Sequence, residues 1–125
     1  MLDHVSIGVH DVARARRFYD PVLAALGYRC LVEGDGYAGY GSDQPQFWVQ
    51  SSEAPVPADG RSGLHFSFTA SGRKAVDAFH AAALAAGGAD NGKPGPRPDY
   101  GPNYYAAFVK DLDGYRIEAH AEIAA

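Results

Sequence analysis

The chain has 125 residues, 46% of them hydrophobic and 21% charged. That is the composition of one soluble globular domain spanning 1–125, not of a disordered chain. Eleven basic against 15 acidic residues give a net charge of −4 with no strongly basic stretch, which excludes a phosphate-neutralising nucleic-acid surface.

Residues 2–9 alternate and are rich in Val and Ile, which predicts a strand with Val5, Ile7 and Val9 on one face and His4, Ser6 and Gly8 on the other. Asp11 is placed to cap a helix. Val12, Ala15, Phe18, Tyr19, Val22 and Leu26 then recur at helical spacing, and Gly27 stops the run. Pro21 falls inside that helix and predicts a kink near Asp20. Residues 28–32, 37–41 and 47–51 are short runs between Gly and Pro and predict three strands. Residues 52–62, with Pro55, Pro57 and Gly60, read as a linker.

The order then repeats. Residues 64–69 predict a strand, Ser71 a helix cap, and Val76, Phe79, Ala83 and Leu84 a buried helix face ended by Gly87 and Gly88. A weak strand is predicted over 92–96 and clearer ones over 104–109 and 115–121, the last two joined by a tight turn at Asp111, Leu112, Asp113 and Gly114. No apolar run approaches the roughly 20 residues of a membrane span. Asp3 and His4 stand where a secretory signal needs a basic and then an apolar region, and the lone Cys30 fits a reducing compartment. A cytoplasmic protein without membrane or nucleic-acid partners is expected.

The repetition extends to identities. Shifting the chain by 61 residues matches His4 to His65, Ser6 to Ser67, Phe18 to Phe79, Leu23 to Leu84 and Gly27 to Gly88. Shifting by 68 matches Tyr37 to Tyr105, Asp43 to Asp111, Phe47 to Tyr115, Val49 to Ile117 and Gln50 to Glu118. The chain thus reads as two β-α-β-β-β modules, about 1–52 and 63–123, the second carrying seven extra residues in its Pro- and Gly-rich 89–103 loop. Strand alternation places His65 and Ser67 on one face of their strand, and Arg116, Glu118 and His120 on one face of theirs. His4, Gln50, His65 and Glu118 then fall at matched places of the two modules. Two imidazoles, a carboxylate and an amide oxygen form a donor set for a divalent transition metal.

Asp3-His4-Val5-Ser6-Ile7, Arg17-Phe18-Tyr19, Leu26-Gly27, His65-Phe66-Ser67-Phe68 and the ending Val109-Lys110-Asp111-Leu112-Asp113-Gly114-Tyr115-Arg116-Ile117-Glu118 resemble, in this order, the vicinal oxygen chelate (glyoxalase/bleomycin resistance/dioxygenase) superfamily. The ending is similar to the family's D-P-D-G turn leading into I-E, with Leu112 in place of the proline. The resemblance implies an α+β fold, two modules cupped into an incomplete barrel. It also implies metal ligands at His4, His65 and Glu118, with Gln50 at the fourth position, for zinc, nickel, iron or manganese. It implies a homodimer, in some members with each site built from two chains.

The resemblance further implies a metal-dependent lyase or isomerase of the glyoxalase type, acting on a small molecule that chelates the metal through adjacent oxygens, with Glu118 as candidate general base. His120 shares the face of Glu118. The chain departs from bacterial-type glyoxalase I in having Gly8 in place of an Arg and Ala54 in place of an Asn, which argues against a glutathione-dependent reaction. Two other activities fit the same family: an iron-dependent extradiol dioxygenase using two His and one carboxylate, and a drug- or metabolite-sequestering protein. For the substrate pocket, the candidates are Trp48 and, on the second-half loop, Arg97, Tyr100, Tyr104 and Tyr105. The string Gly34-x-Gly36-x-x-Gly39 matches a dinucleotide fingerprint only as text, because no helix follows it.

Overall fold

The computed structural model describes every residue except Ala58 and Ala125. Ala58 belongs to the predicted linker and so lies outside the described residues; later in that linker Gly60–Ser62 form a single 3-10 turn. The elements run β1 (Val5–Val9), α1 (Val12–Ala24), β2 (Arg29–Gly34), β3 (Tyr37–Gly41), β4 (Phe47–Ser51), then β5 (Phe66–Thr69), α2 (Arg73–Ala85), β6 (Ala89–Pro96), β7 (Tyr104–Lys110) and β8 (Arg116–Glu122). They form two four-stranded sheets, ordered β1-β4-β3-β2 and β5-β8-β7-β6. In each sheet the first strand runs parallel to the last and the other neighbours are antiparallel. The architecture is α+β, and the sheets do not close into a barrel.

The local chemistry accounts for most of these boundaries. The Asp11 carboxylate accepts the Arg14 N–H at 3.1 Å and caps α1, a contact that contributes about 1 kcal/mol. Ala15, Phe18, Tyr19, Val22 and Leu23 form the buried stripe of α1, and the helix runs past Pro21 to Ala24. Ser71 is not the cap of α2. The helix starts at Arg73, so Gly72 takes the cap position in extended backbone with no side-chain bond. β5 starts two residues later than the alternation predicts. The Leu64 carbonyl is taken by the Arg116 guanidinium at 3.0 and 3.2 Å, and pairing with β8 begins at Phe66 and Ile117. His65 therefore stands just outside the strand. The extra second-half residues fall mainly in the connection 97–103 between β6 and β7, seven residues against two between β2 and β3, while β6 is two residues longer than β2 and has register shifts on both sides of Gly92.

One apolar core joins the two halves. Phe18, Tyr19, Phe79 and Ile117 are buried in it, and Phe47 meets Phe68 edge-on at 5.1 Å. Buried Asp111 ties α1 to the β7–β8 turn. It accepts from the Tyr19 hydroxyl and from the Asp113 and Tyr115 N–H groups at 2.9 and 2.8 Å. Gly114 closes this turn at φ 90°, a value that favours glycine. Each parallel edge strand receives a tyrosine from the other half: Tyr115 donates to the Gly8 carbonyl and Tyr28 to the Thr69 carbonyl, both at 2.7 Å.

Strand register corrects the internal match. Ser6 pairs with Trp48 as Ser67 pairs with Glu118. The offset is 67 − 6 = 61 for the first strands but 118 − 48 = 70 for the last ones. Across the neighbouring strand, Gly39 faces Trp48 as Phe108 faces Glu118, an offset of 108 − 39 = 69. Trp48, not Gln50, is thus the first-half counterpart of Glu118, and Gln50 is the counterpart of His120.

Candidate functional site

The polar face of β5, β8 and β7 gathers the ionisable residues. Glu118 stands mid-strand on β8 and is 2% exposed. Its Oε1 lies 2.8 Å from His65 Nε2, and its Oε2 accepts the Tyr104 hydroxyl at 2.5 Å. The reach of Tyr104 follows from the register. Tyr104 pairs with Glu122, Ala106 with His120 and Phe108 with Glu118. The small Ala106 lets the Tyr104 ring lie along the face and stack on His120, centroids 4.7 Å apart and planes within 5°. Ser67 Oγ then fixes His120 through Nδ1 at 2.9 Å. Burial first, then the bond to Glu118, pushes the Tyr104 pKa far above that of a free phenol, so it remains a proton donor to the carboxylate.

The first-half candidates stand elsewhere. His4 precedes β1, is exposed and pairs with Asp3 at 2.8 Å. It lines a shallow hollow with Ser6, Gln44, Pro45 and Trp48. Gln50 is exposed and paired with Gly8. Among the described residues, no group of three or more His, Cys, Asp and Glu is placed to hold a metal. The structure therefore brings His65 and Glu118 together and joins neither His4 nor Gln50 to them.

The expected pocket residues also divide. Trp48 lines the His4 hollow, packed over Gly39, where a Cβ would come within 2.8 Å of its ring. Tyr104 belongs to the carboxylate rather than to a loop wall, and exposed Tyr100 meets its ring edge-on at 5.3 Å. Tyr105 points the other way, because neighbours on a strand face opposite sides. Its hydroxyl donates to Asp77 on α2 at 2.7 Å, and Arg73 lies over its ring. Arg97 is used within its own loop: its guanidinium donates to the Lys93 and Pro96 carbonyls and lies 5.3 Å from the Phe108 ring. The sequence reading missed the Tyr104–His120 stack. Its signal was present in the tyrosine, alanine and phenylalanine of one β7 face, but only the β7–β8 register shows what they oppose.

A family model described as the glyoxalase/bleomycin resistance protein/dioxygenase superfamily matches residues 1–119. The chain belongs to that superfamily. The resemblance carried by the His-containing strands and the Asp-Gly turn is thereby borne out. Among solved glyoxalase-superfamily structures, a glyoxalase/bleomycin resistance protein from Albidiferax ferrireducens T118 is 32% identical, with a TM-score of 0.84 over 96% of this chain and 98% of that one. A glyoxalase/bleomycin resistance protein/dioxygenase family enzyme from Burkholderia phytofirmans PsJN shares 18% identity and a TM-score of 0.72 over 97% and 98% of the two chains. TioX from Micromonospora sp. ML1 shares 19% and 0.70 over 98% and 99%. The last two likenesses speak for the fold alone. No curated protein matches the chain. No helix among the described residues is long and apolar enough to cross a membrane.

Proposed function

We propose that the protein is a metal-dependent lyase or isomerase of the glyoxalase type, with His65 and Glu118 as two of its three metal ligands. The observation that carries the reading is the buried Glu118 carboxylate held 2.8 Å from His65 Nε2. An imidazole nitrogen and a carboxylate oxygen are donors of the right kind, but a catalytic divalent site of this type takes three protein ligands. Among the described residues one chain brings two together. We assign the third to His4 of a second copy, because His4 is exposed in its own chain and is bonded only to its neighbour Asp3. The reading thus includes a homodimer and leaves out Gln50, which the register puts two positions beyond Trp48.

A divalent ion bound there would supply Lewis-acid polarisation of adjacent substrate oxygens. The protein's own groups do the rest. Tyr104 holds Glu118 Oε2 and leaves Oε1 directed at His65. Ser67 orients His120 beside them. Glu118 is the carboxylate placed to take a substrate proton, a role an amide in its place could not fill.

Mixed dimers test the arrangement. His4→Ala and Glu118→Gln proteins should each lose zinc binding measured by calorimetry. Refolded together, they should recover one intact site per heterodimer. Loss without recovery places all ligands in one chain, and undiminished binding by either variant sinks the site.

A further inference from the structure

Between the two modules lies a second space, which shares only His65 with the proposed metal site. It is a cavity of about 380 Å³ along the free edge of β5. Leu23, Tyr28, Tyr40, Phe47, Phe66 and Phe68 form its apolar walls. The size falls within the roughly 300–1,000 Å³ of small-molecule pockets, and is more than twice the roughly 150 Å³ that admits benzene.

Three observations fix the kind of ligand. First, the lining contains no Lys, Arg, Asp or Glu, so an ionic group carried inside would meet no counter-charge. Second, the two tyrosines present rings rather than free hydroxyls. Tyr28 donates to the Thr69 carbonyl at 2.7 Å and Tyr40 to Asp20 at 2.6 Å. Third, His65 belongs both to this lining and to the Glu118 pair. A molecule seated in the cavity therefore reaches the carboxylate at one end only.

The geometry points to a substrate with an uncharged body of about two fused rings, seated between the modules, and an oxygen-bearing end at His65. This rests on the proposed function for what happens at that end, while the cavity itself stands independently of any metal. Charge on the distal part of the body is excluded by the lining, and charge at the His65 end is not.

The probes are 2-naphthol and 6-hydroxynaphthalene-2-sulfonate, which has the same rings and hydroxyl with an anion at the far end. Titrated into the metal-free protein and followed by ring fluorescence and ¹⁵N-histidine NMR, 2-naphthol should bind in the sub-millimolar range and shift the His65 ring signals. The sulfonate should bind at least tenfold more weakly. Phe68→Trp, which fills the cavity, should cost tenfold or more. Leu2→Asp should cost severalfold by placing a charge at the rim, and with Leu2 73% exposed it leaves the core untouched. Glu118→Gln separates the two readings: its zinc titration tests the metal site and its 2-naphthol titration tests the cavity. The inference is overturned if wild-type protein does not bind 2-naphthol. It is equally overturned if both cavity variants bind as wild type does, or if His65 does not respond.

Discussion

Tyr104 and Tyr105 are adjacent identical residues facing opposite sides of β7, and they offer a sharp test of the site's architecture. Tyr104→Phe removes the hydroxyl that donates to Glu118 and keeps the ring that stacks on His120. A hydrogen bond to a charged group contributes about 1.5–3 kcal/mol. The Glu118 side chain is 3% exposed, so water has little access to replace the lost donor and the upper part of that range applies. A loss of about 2–3 kcal/mol is expected, which at this chain length lowers Tm by roughly 8–11 °C. Tyr105→Phe removes a bond of similar length to exposed Asp77, where solvent replaces the donor, and should cost less than about 1 kcal/mol. Urea denaturation at neutral pH with unchanged m-values reads both. A Tyr104→Phe protein within about 0.5 kcal/mol of wild type, or a Tyr105→Phe protein equally destabilised, would refute the assignment of the first tyrosine to the buried carboxylate.

Two further substitutions probe the frame. Tyr19→Phe leaves buried Asp111 with its two backbone donors only and should lower stability by about 2 kcal/mol, checked by thermal unfolding; an unchanged Tm would mean that the bond contributes nothing net. Asp90 is held below the usual carboxylate range by the His80 ring and then by the Gly92 N–H. A lowered folded pKa stabilises above the unfolded carboxylate value and is lost as pH falls through the folded one. Asp90→Asn should therefore be less stable than wild type near neutrality, and the two urea midpoints should converge as pH falls through and below the usual carboxylate range; a constant gap across the series counts against the clasp.

Element types were legible from periodicity because the apolar residues that set them are the buried ones. Val5, Ile7 and Val9 of β1 and the Phe18, Tyr19 and Val22 stripe of α1 pack where alternation and helical spacing place them. The Asp111–Gly114 turn was legible for a similar local reason. Its carboxylate bonds to the next N–H groups, and its glycine supplies the positive φ. The starts of β5 and α2 were not legible. One depends on Arg116 reaching Leu64 from 52 residues away, and the other on which of two small residues the backbone extends through. The pairing of His65 with Glu118 could be expected from shared strand faces. The role of Tyr104 could not, since it crosses Ala106 to reach a residue that is not its register partner.

The same register explains why the two halves do unequal work. Identity alone aligns Gln50 with Glu118, because a common offset hides residues gained between the strands. Backbone pairing removes that freedom: Gln50 and Trp48, two residues apart, share a face, and the register alone sets Trp48 opposite Ser6 as Glu118 is set opposite Ser67. At the place where the second half carries a buried carboxylate opposite Ser67, the first half carries an indole opposite Ser6. An indole is no metal ligand and no base, and its bulk covers Gly39, which pairs with it on β3. The two modules thus share a scaffold, while at this register position the carboxylate stands in one of them and an indole in the other. Beside that indole the first half presents the exposed His4, which the proposed site draws on as its third ligand. For this reason the heterodimer experiment reads how the two halves are combined as well as whether the metal binds. If His4→Ala and Glu118→Gln chains complement one another, the two unequal halves meet between molecules. If both variants lose zinc and do not recover it together, the ligands, His4 included, lie in one chain; if His4→Ala binds zinc undiminished, the first module contributes no ligand at His4.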